Sequence, residues 1–157
     1  MGAPANMSDF HLLVNSKDSD EYFGDNGVGY FRVKLKHPII LEGNKWHIGL
    51  CEINGTLWDV GADDTVFIFC NLTTGLKLPS NTEGLLRAMN VARPTNTYMR
   101  YDQVVYTPIQ THYIDVIEIS LKVNGFLKEV GEKKQASRSS NDAKANTWCL
   151  LHFKWAA

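Results

Sequence analysis

The stretch Phe31-Arg32-Val33-Lys34-Leu35-Lys36-His37-Pro38-Ile39-Ile40-Leu41-Glu42-Gly43-Asn44-Lys45-Trp46-His47-Ile48-Gly49-Leu50-Cys51-Glu52-Ile53 decides the fold class. Phe31, Val33 and Leu35 alternate with Arg32, Lys34 and Lys36, and Trp46, Ile48 and Leu50 alternate with His47, Gly49 and Cys51. A period of two sustained over this length predicts two half-buried strands, each with one core face. Pro38 cannot donate to a ladder and is expected to end the first strand. Between the strands, Glu42-Gly43-Asn44-Lys45 reads as a tight turn in which Gly43 or Asn44 takes positive φ.

The same period recurs outward from this pair. Phe10, Leu12 and Val14 predict a first strand after Asp9, and 147–155 predicts a last one facing inward by Cys149, Leu151 and Phe153. Residues 65–72 are apolar on both faces, which predicts a strand covered on both sides, either central in a sheet or at a subunit contact. Tyr98 to Tyr101 and Gln103 to Tyr106 read as short strands. His112 to Val123 is the longest alternating run, closed by the turn signal Asn124-Gly125. One segment departs from the pattern. Ser80-Asn81-Thr82-Glu83 resembles a helix cap, and Leu85, Ala88, Met89 and Ala92 follow at helical spacing before Pro94, which predicts one short inserted helix. Residues 129–146 are polar and of mixed charge, which predicts a mobile loop. The expected organisation is a flexible tail at 1–8 and one all-β sandwich domain over 9–157. Periodicity favours Greek-key or jelly-roll connectivity without choosing between them.

Bulk properties narrow the function. The chain has 157 residues, 44% of them hydrophobic and 21% charged, with a net charge of −1. It is long enough to bury a core, and no basic field announces nucleic acid. No apolar run approaches the ~20 residues that span a bilayer. The N-terminus lacks the charged and apolar regions of a signal peptide, and Gly2 has no Ser or Thr at the position that myristoylation favours. Cys51, Cys70 and Cys149 sit in apolar runs without metal spacing, and are expected as reduced, buried thiols of an intracellular assembly site.

Candidate chemistry is sparse. His47 and Glu52 could form an acid–base pair on an exposed strand face, and His112, Asp115 and His152 could meet across a sheet. No serine or cysteine stands in a nucleophile elbow near them, and Cys149 between Trp148 and Leu150 reads as packing. Asp59, Asp63 and Asp64 lack the alternation, glycine and distal Glu of a calcium loop. The sequons at Asn54 and Asn71 have no secretory signal to give them meaning. We therefore expect no catalytic, cofactor or metal residue, and no enzyme. Trp46, Trp58, Trp148 and Trp155 are numerous for a small chain, so part of this aromatic area is expected at an interface.

An ordered series of blocks carries a family resemblance. Phe31-x-Val33-x-Leu35, Pro38-Ile39, Leu41-Glu42-Gly43, Trp46-x-Ile48-Gly49-Leu50-x-Glu52-Ile53 and Trp58 resemble the minor capsid protein, or penton, of Polinton/Maverick elements and adintoviruses. The Leu85-Leu86-x-x-Met89-Asn90 segment resembles that family's helix. Tyr106-Thr107-Pro108-Ile109, Ile114-Asp115-x-Ile117-Glu118-Ile119 and Leu150-Leu151-His152-Phe153-Lys154 resemble its later blocks. Leu78-Pro79-Ser80-Asn81 departs from the family's Pro-Gly-Tyr turn, and 129–146 has no counterpart. The resemblance implies a single jelly roll. Five copies would form a capsomer at the icosahedral vertex of the virion, beside a double-jelly-roll major capsid protein, with a host receptor as a further partner. The main rival is a lectin-like ligand-binding β-sandwich presenting Tyr22, Phe23 and Trp58 on loops. A cytokine-like jelly roll would be secreted and trimeric.

Overall fold

A computed structural model of the chain describes residues 9–55, 60–61, 63–74, 84–91, 97–124 and 146–155. The expected tail at 1–8, Trp58, Asp59, the helix start at 80–83 and the 129–146 loop except Asn146 lie outside these residues. Nine strands are described: β1 (Phe10–Asn15), β2 (Tyr30–Ile40), β3 (Trp46–Gly55), β4 (Thr65–Cys70), β5 (Leu85–Asn90), β6 (Thr97–Arg100), β7 (Tyr106–Pro108), β8 (Tyr113–Val123) and β9 (Thr147–Trp155). They form two antiparallel sheets. One has the order β1-β9-β3-β6, with β7 also on β3; the other has the order β2-β8-β4-β5.

β6 and β7 pair with successive parts of β3, Glu52–Gly55 and His47–Gly49, so together they form one interrupted strand. Counted that way, the first strand pairs with the last, the second with the next to last, and so inward to the β4–β5 pair. This nested order is the jelly-roll arrangement, in which a long antiparallel ribbon is rolled into two facing sheets. The core between the sheets contains Phe31, Ile48, Leu50, Ile53, Ile68, Ile117, Ile119, Leu121, Leu151 and Phe153, all buried. Each such side chain contributes roughly 1.5–3 kcal/mol relative to exposure. At one end Phe10 stacks on Phe153 with ring centroids 4.7 Å apart, and Trp46 packs against both Phe10 and Trp155 at 5.9 Å.

The two strands of the 31–53 stretch belong to opposite sheets. β2 pairs with β8, and β3 pairs with β9, so the turn at 42–45 carries the chain across the sandwich. Gly43 has φ +89°, and a Cβ there would lie 2.3 Å from the Trp155 ring, so the turn and the last strand close together only over glycine. Pro38 does not end β2. The register shifts between Lys34 and Ile39, and the proline lies in that irregularity on an edge strand, where its missing donor costs no ladder bond.

β3 also changes phase. Its partner on β9 moves from Leu151 at Leu50 to Leu150 at Glu52, which leaves Cys51 as an extra residue. Trp46, Ile48 and Leu50 face the core before this bulge, and Ile53 takes the core position after it. The amide of Tyr101 donates to the Cys51 carbonyl at 3.0 Å.

The expected helix is overturned where it can be seen: 85–90 is β5, paired with β4. The partner register jumps from Arg87 at Ile68 to Leu85 at Phe69, so Leu86 is unmatched. Leu86 and Met89, three apart, both reach the core. A bulged strand thus reproduces the spacing of a helix face. β1 is an edge strand, while β4 lies inside its sheet between β8 and β5 as its two apolar faces predicted. Asn124 closes β8 with φ 53°.

The 16–29 loop covers the outer edge of β2. Asn26 mimics a strand partner, its amide nitrogen donating to the Arg32 carbonyl at 2.8 Å and its oxygen accepting from the Arg32 amide at 2.9 Å. The buried Ser19 hydroxyl accepts from the Lys34 amide at 2.8 Å. Paired edge groups cannot template another chain. Asn26→Ala is therefore expected to cost about 1–3 kcal/mol in urea unfolding and to raise aggregation during refolding, both readable against wild type.

Candidate functional site

The outer face of the five-stranded sheet gathers several chemically active side chains, because alternation sends every second residue of β1, β9 and β3 there. Three rows cross it. The first is His11–His152–Gly49–Tyr106, the second Leu13–Leu150–Glu52–Arg100, and the third Asn15–Trp148–Asn54–Tyr98.

In the first row His11 and His152 stack at 4.3 Å, and the Tyr106 ring meets the edge of His152. The Tyr106 hydroxyl lies 2.8 Å from His152 Nδ1, and Asp9 Oδ2 lies 3.7 Å from Nε2. Lys154 Nζ sits 4.0 Å over the Tyr106 ring. Gly49 makes this possible: a Cβ there would come within 2.4 Å of Val104 Cγ1 and 2.9 Å of the Val105 carbonyl. Burial, then the neighbouring His11 charge, lowers the His152 pKa, against a smaller opposing effect of Asp9. Burial likewise raises the Tyr106 pKa, so its hydroxyl holds its proton and is no activated nucleophile. In the third row Tyr98 lies 6.0 Å from Trp148, and its hydroxyl donates to Glu52, which raises the Tyr98 pKa.

The constellations expected from sequence are not assembled. The bulge brings Glu52 to the same outer face as His47, but Glu52 accepts from Tyr98 while His47 Nδ1 lies 3.0 Å from the Lys45 carbonyl. His112 Nδ1 lies 3.2 Å from the Leu41 carbonyl, and Asp115 pairs with Lys34 at 3.2 Å, both beside the four-stranded sheet; His152 stands in the other sheet. They do not meet. Asp64 accepts from the Gly61 amide and from the Asn124 side chain, a turn role. No cluster of three metal-ligating side chains occurs among the described residues. The Asn71 amide is engaged with the Val116 carbonyl and the Glu118 amide, so this sequon residue serves as a ladder extension of β8. Of the loop aromatics, Tyr22 is 65% exposed, whereas the Phe23 ring is capped by the Arg32 guanidinium at 4.4 Å.

What the sequence did not reveal is the cross-strand row. His11, Tyr106 and His152 lie far apart in the chain, and only the pairing of β1, β9, β3 and β7 aligns them. The outer face is consequently a surface of aromatic, imidazole and exposed apolar groups, with Leu13 58% and Tyr98 53% exposed at its two opposite edges. Aromatic groups around such apolar points suit an interface more than a reaction.

Two measurements check these assignments. Because the folded state holds His152 below the ordinary imidazole value of 6.5, stability is complete above that pH and falls as pH drops through it toward the lower folded pKa. A His152→Gln variant is expected to show a smaller loss of Tm between pH 7.5 and 5.5 than wild type. Burial pushes the Cys70 thiol up to about 12 and raises Cys149 further, whereas Cys51 is only partly buried. Native protein should therefore release a single equivalent of thiol to a disulfide reagent, from Cys51, and all three after denaturation. No protein-family model matches the chain, and comparison with curated proteins finds no match.

Proposed function

We propose that the chain is a structural viral minor capsid protein, a penton whose five copies form the capsomer at icosahedral vertices beside a double-jelly-roll major capsid protein. The observation that carries this reading is the nested strand order, β1 with β9 and β2 with β8 inward to β4 with β5. Fold alone does not specify function, so the reading also draws on the sequence blocks. Phe31 to Leu35 and Pro38-Ile39 fall on β2, Trp46 to Ile53 on β3, Ile114 to Ile119 on β8 and Leu150 to Lys154 on β9. The block compared with the family's helix is the exception, since Leu85 to Asn90 is a strand here.

A closed ring of identical subunits needs two different complementary sides on each copy. Leu13 on the β1 edge and Tyr98 on the β6 edge supply apolar points on opposite edges of one sheet. The net charge of −1 keeps repulsion among five neighbours small. The chain's role in this reading is assembly within the virion, and it calls on no cofactor.

Light scattering coupled to size exclusion tests the proposal. The expected mass is that of five chains at high concentration, falling toward one chain in Leu13→Glu without loss of fold. A stable trimer would favour the cytokine-like alternative, and a monomer or dimer at every concentration the lectin-like one.

A further inference from the structure

His11 and His152 stand directly opposite each other where β1 meets β9, and their rings stack at 4.3 Å with planes 13° apart. The two members are unequal. His11 is exposed on the edge strand, whereas the His152 side chain is only 14% exposed on a strand inside the sheet. Two neutral imidazoles stack without penalty, but two imidazolium ions this close repel, and an imidazole ordinarily changes charge at about pH 6.5. The surroundings do little to absorb that charge. β1 contributes Asp9, whose Oδ2 lies 3.7 Å from His152 Nε2, but its side chain is 55% exposed and its other oxygen accepts from the Trp155 amide. β9 adds a further cation, Lys154, with Nζ 4.0 Å over the Tyr106 ring. On β3 the partner is Gly49, with His47 and Glu52 in the flanking rows; the Glu52 carboxylate accepts from Tyr98, and burial keeps the Cys51 thiol neutral. On β7 the Tyr106 hydroxyl lies 2.8 Å from His152 Nδ1 and can donate to the neutral ring or accept from the charged one, so it favours neither state. Asp9 is thus the one carboxylate within ion-pairing range of the stack among the described residues. Burial and His11 outweigh it in setting the lowered His152 pKa.

The strand that carries His11 is also the one that can leave. Among the described residues β1 pairs with no strand but β9. Its far end is tied down by Ser16, whose amide donates to the Thr147 carbonyl at 2.8 Å and whose hydroxyl accepts from the Thr147 amide at 3.0 Å. The histidine pair lies at the other end. There closure depends on the Phe10–Phe153 stack, with centroids 4.7 Å apart, and on the Asp9 contact to the Trp155 amide at 3.4 Å. Separating the imidazoles needs only residues 9–12 to swing outward, while β9 keeps its ladder to β3. His152 then meets water, where its charged form is no longer penalised by burial. The open form therefore binds more protons than the closed one, and acid favours it.

We propose that residues 9–12 form an acid-released flap, closed over β9 while His11 and His152 are neutral and swung out when both carry charge. Opening leaves this part of β9 with unpaired backbone groups, an edge of the kind that accepts a strand from another chain. The inference does not rest on the capsid reading. Its test follows the amides of one strand, whereas that reading stands or falls on the mass of the assembly.

Hydrogen exchange read by mass spectrometry on the full chain at pH 7.5 and 5.0, corrected for the intrinsic pH dependence of exchange, tests it. Protection of the 9–13 amides is expected to fall about tenfold at the lower pH, while β4 and β8 keep theirs within about twofold. His11→Gln, at an exposed position, should retain the protection seen at neutral pH and limit the acid loss to about threefold, because burial still penalises a charged His152. His152→Gln should remove the loss, and the double variant should behave as His152→Gln does. An equal loss in every strand would place the acid sensitivity in the whole fold and overturn the proposal. So would full protection of 9–13 at pH 5.0 in the wild type, or a local loss that neither variant reduces.

Discussion

The five-stranded sheet depends on the insertion of β9 between β1 and β3. Phe10 to Asn15 pair with no strand but β9 among the described residues, and β3 faces the same strand from the other side. The sheet's central ladder is thus supplied by the last part of the chain, and its edge by the first. Thr147 marks the junction, fully buried, with its amide donating to the Ser16 hydroxyl and its own hydroxyl to the Val28 carbonyl. Closing a sheet across nearly the whole sequence is entropically demanding, and topologies of this kind fold slowly for that reason. The core residues Cys149, Leu151 and Phe153, all fully buried, reach the sandwich interior only when this closure occurs.

The two outer faces divide the chemistry. One sheet displays stacked imidazoles, tyrosines and exposed apolar points at its edges. The other places Ser120 between Tyr30 and Phe69. Neither follows from composition, since both are cross-strand rows whose members come from three or four distant segments. In a jelly roll most strands are flanked by partners remote in sequence, so surface chemistry is assembled by register more than by local motif.

The same principle explains what could be read in advance. Strands with a clean period of two were legible: the buried sets Phe31 and Val33, Ile48 and Leu50, and Cys149, Leu151 and Phe153 follow from alternation alone. The interior place of β4 followed from its two apolar faces, and the turn at Gly43 from the residue's freedom at positive φ. What misled was each departure from period two. Leu85, Ala88 and Met89 read as one helix face, but on β5 the bulge at Leu86 leaves only Met89 of the three in the core cluster, and Pro38 fell inside β2 because the edge tolerates it. For the candidate sites, His47, Glu52, His112 and Asp115 were visible as residue types, but their partners were not.

The unmatched Cys51 has a consequence for how this strand can change. In a ladder, one residue more or less reverses which side chains face inward from that point onward. The bulge acts as a parity correction: it lets Trp46, Ile48, Leu50 and Ile53 all be core residues although the last is out of step with the first three. Deleting Cys51 itself would only remove the bulge and restore plain alternation, but an insertion that the bulge does not absorb would not be local damage. It would turn one half of the strand inside out, placing Glu52 in the interior instead of Ile53 or His47 instead of Ile48. Substitutions can accumulate on β3 one at a time, but its length is locked to the frame of its neighbours.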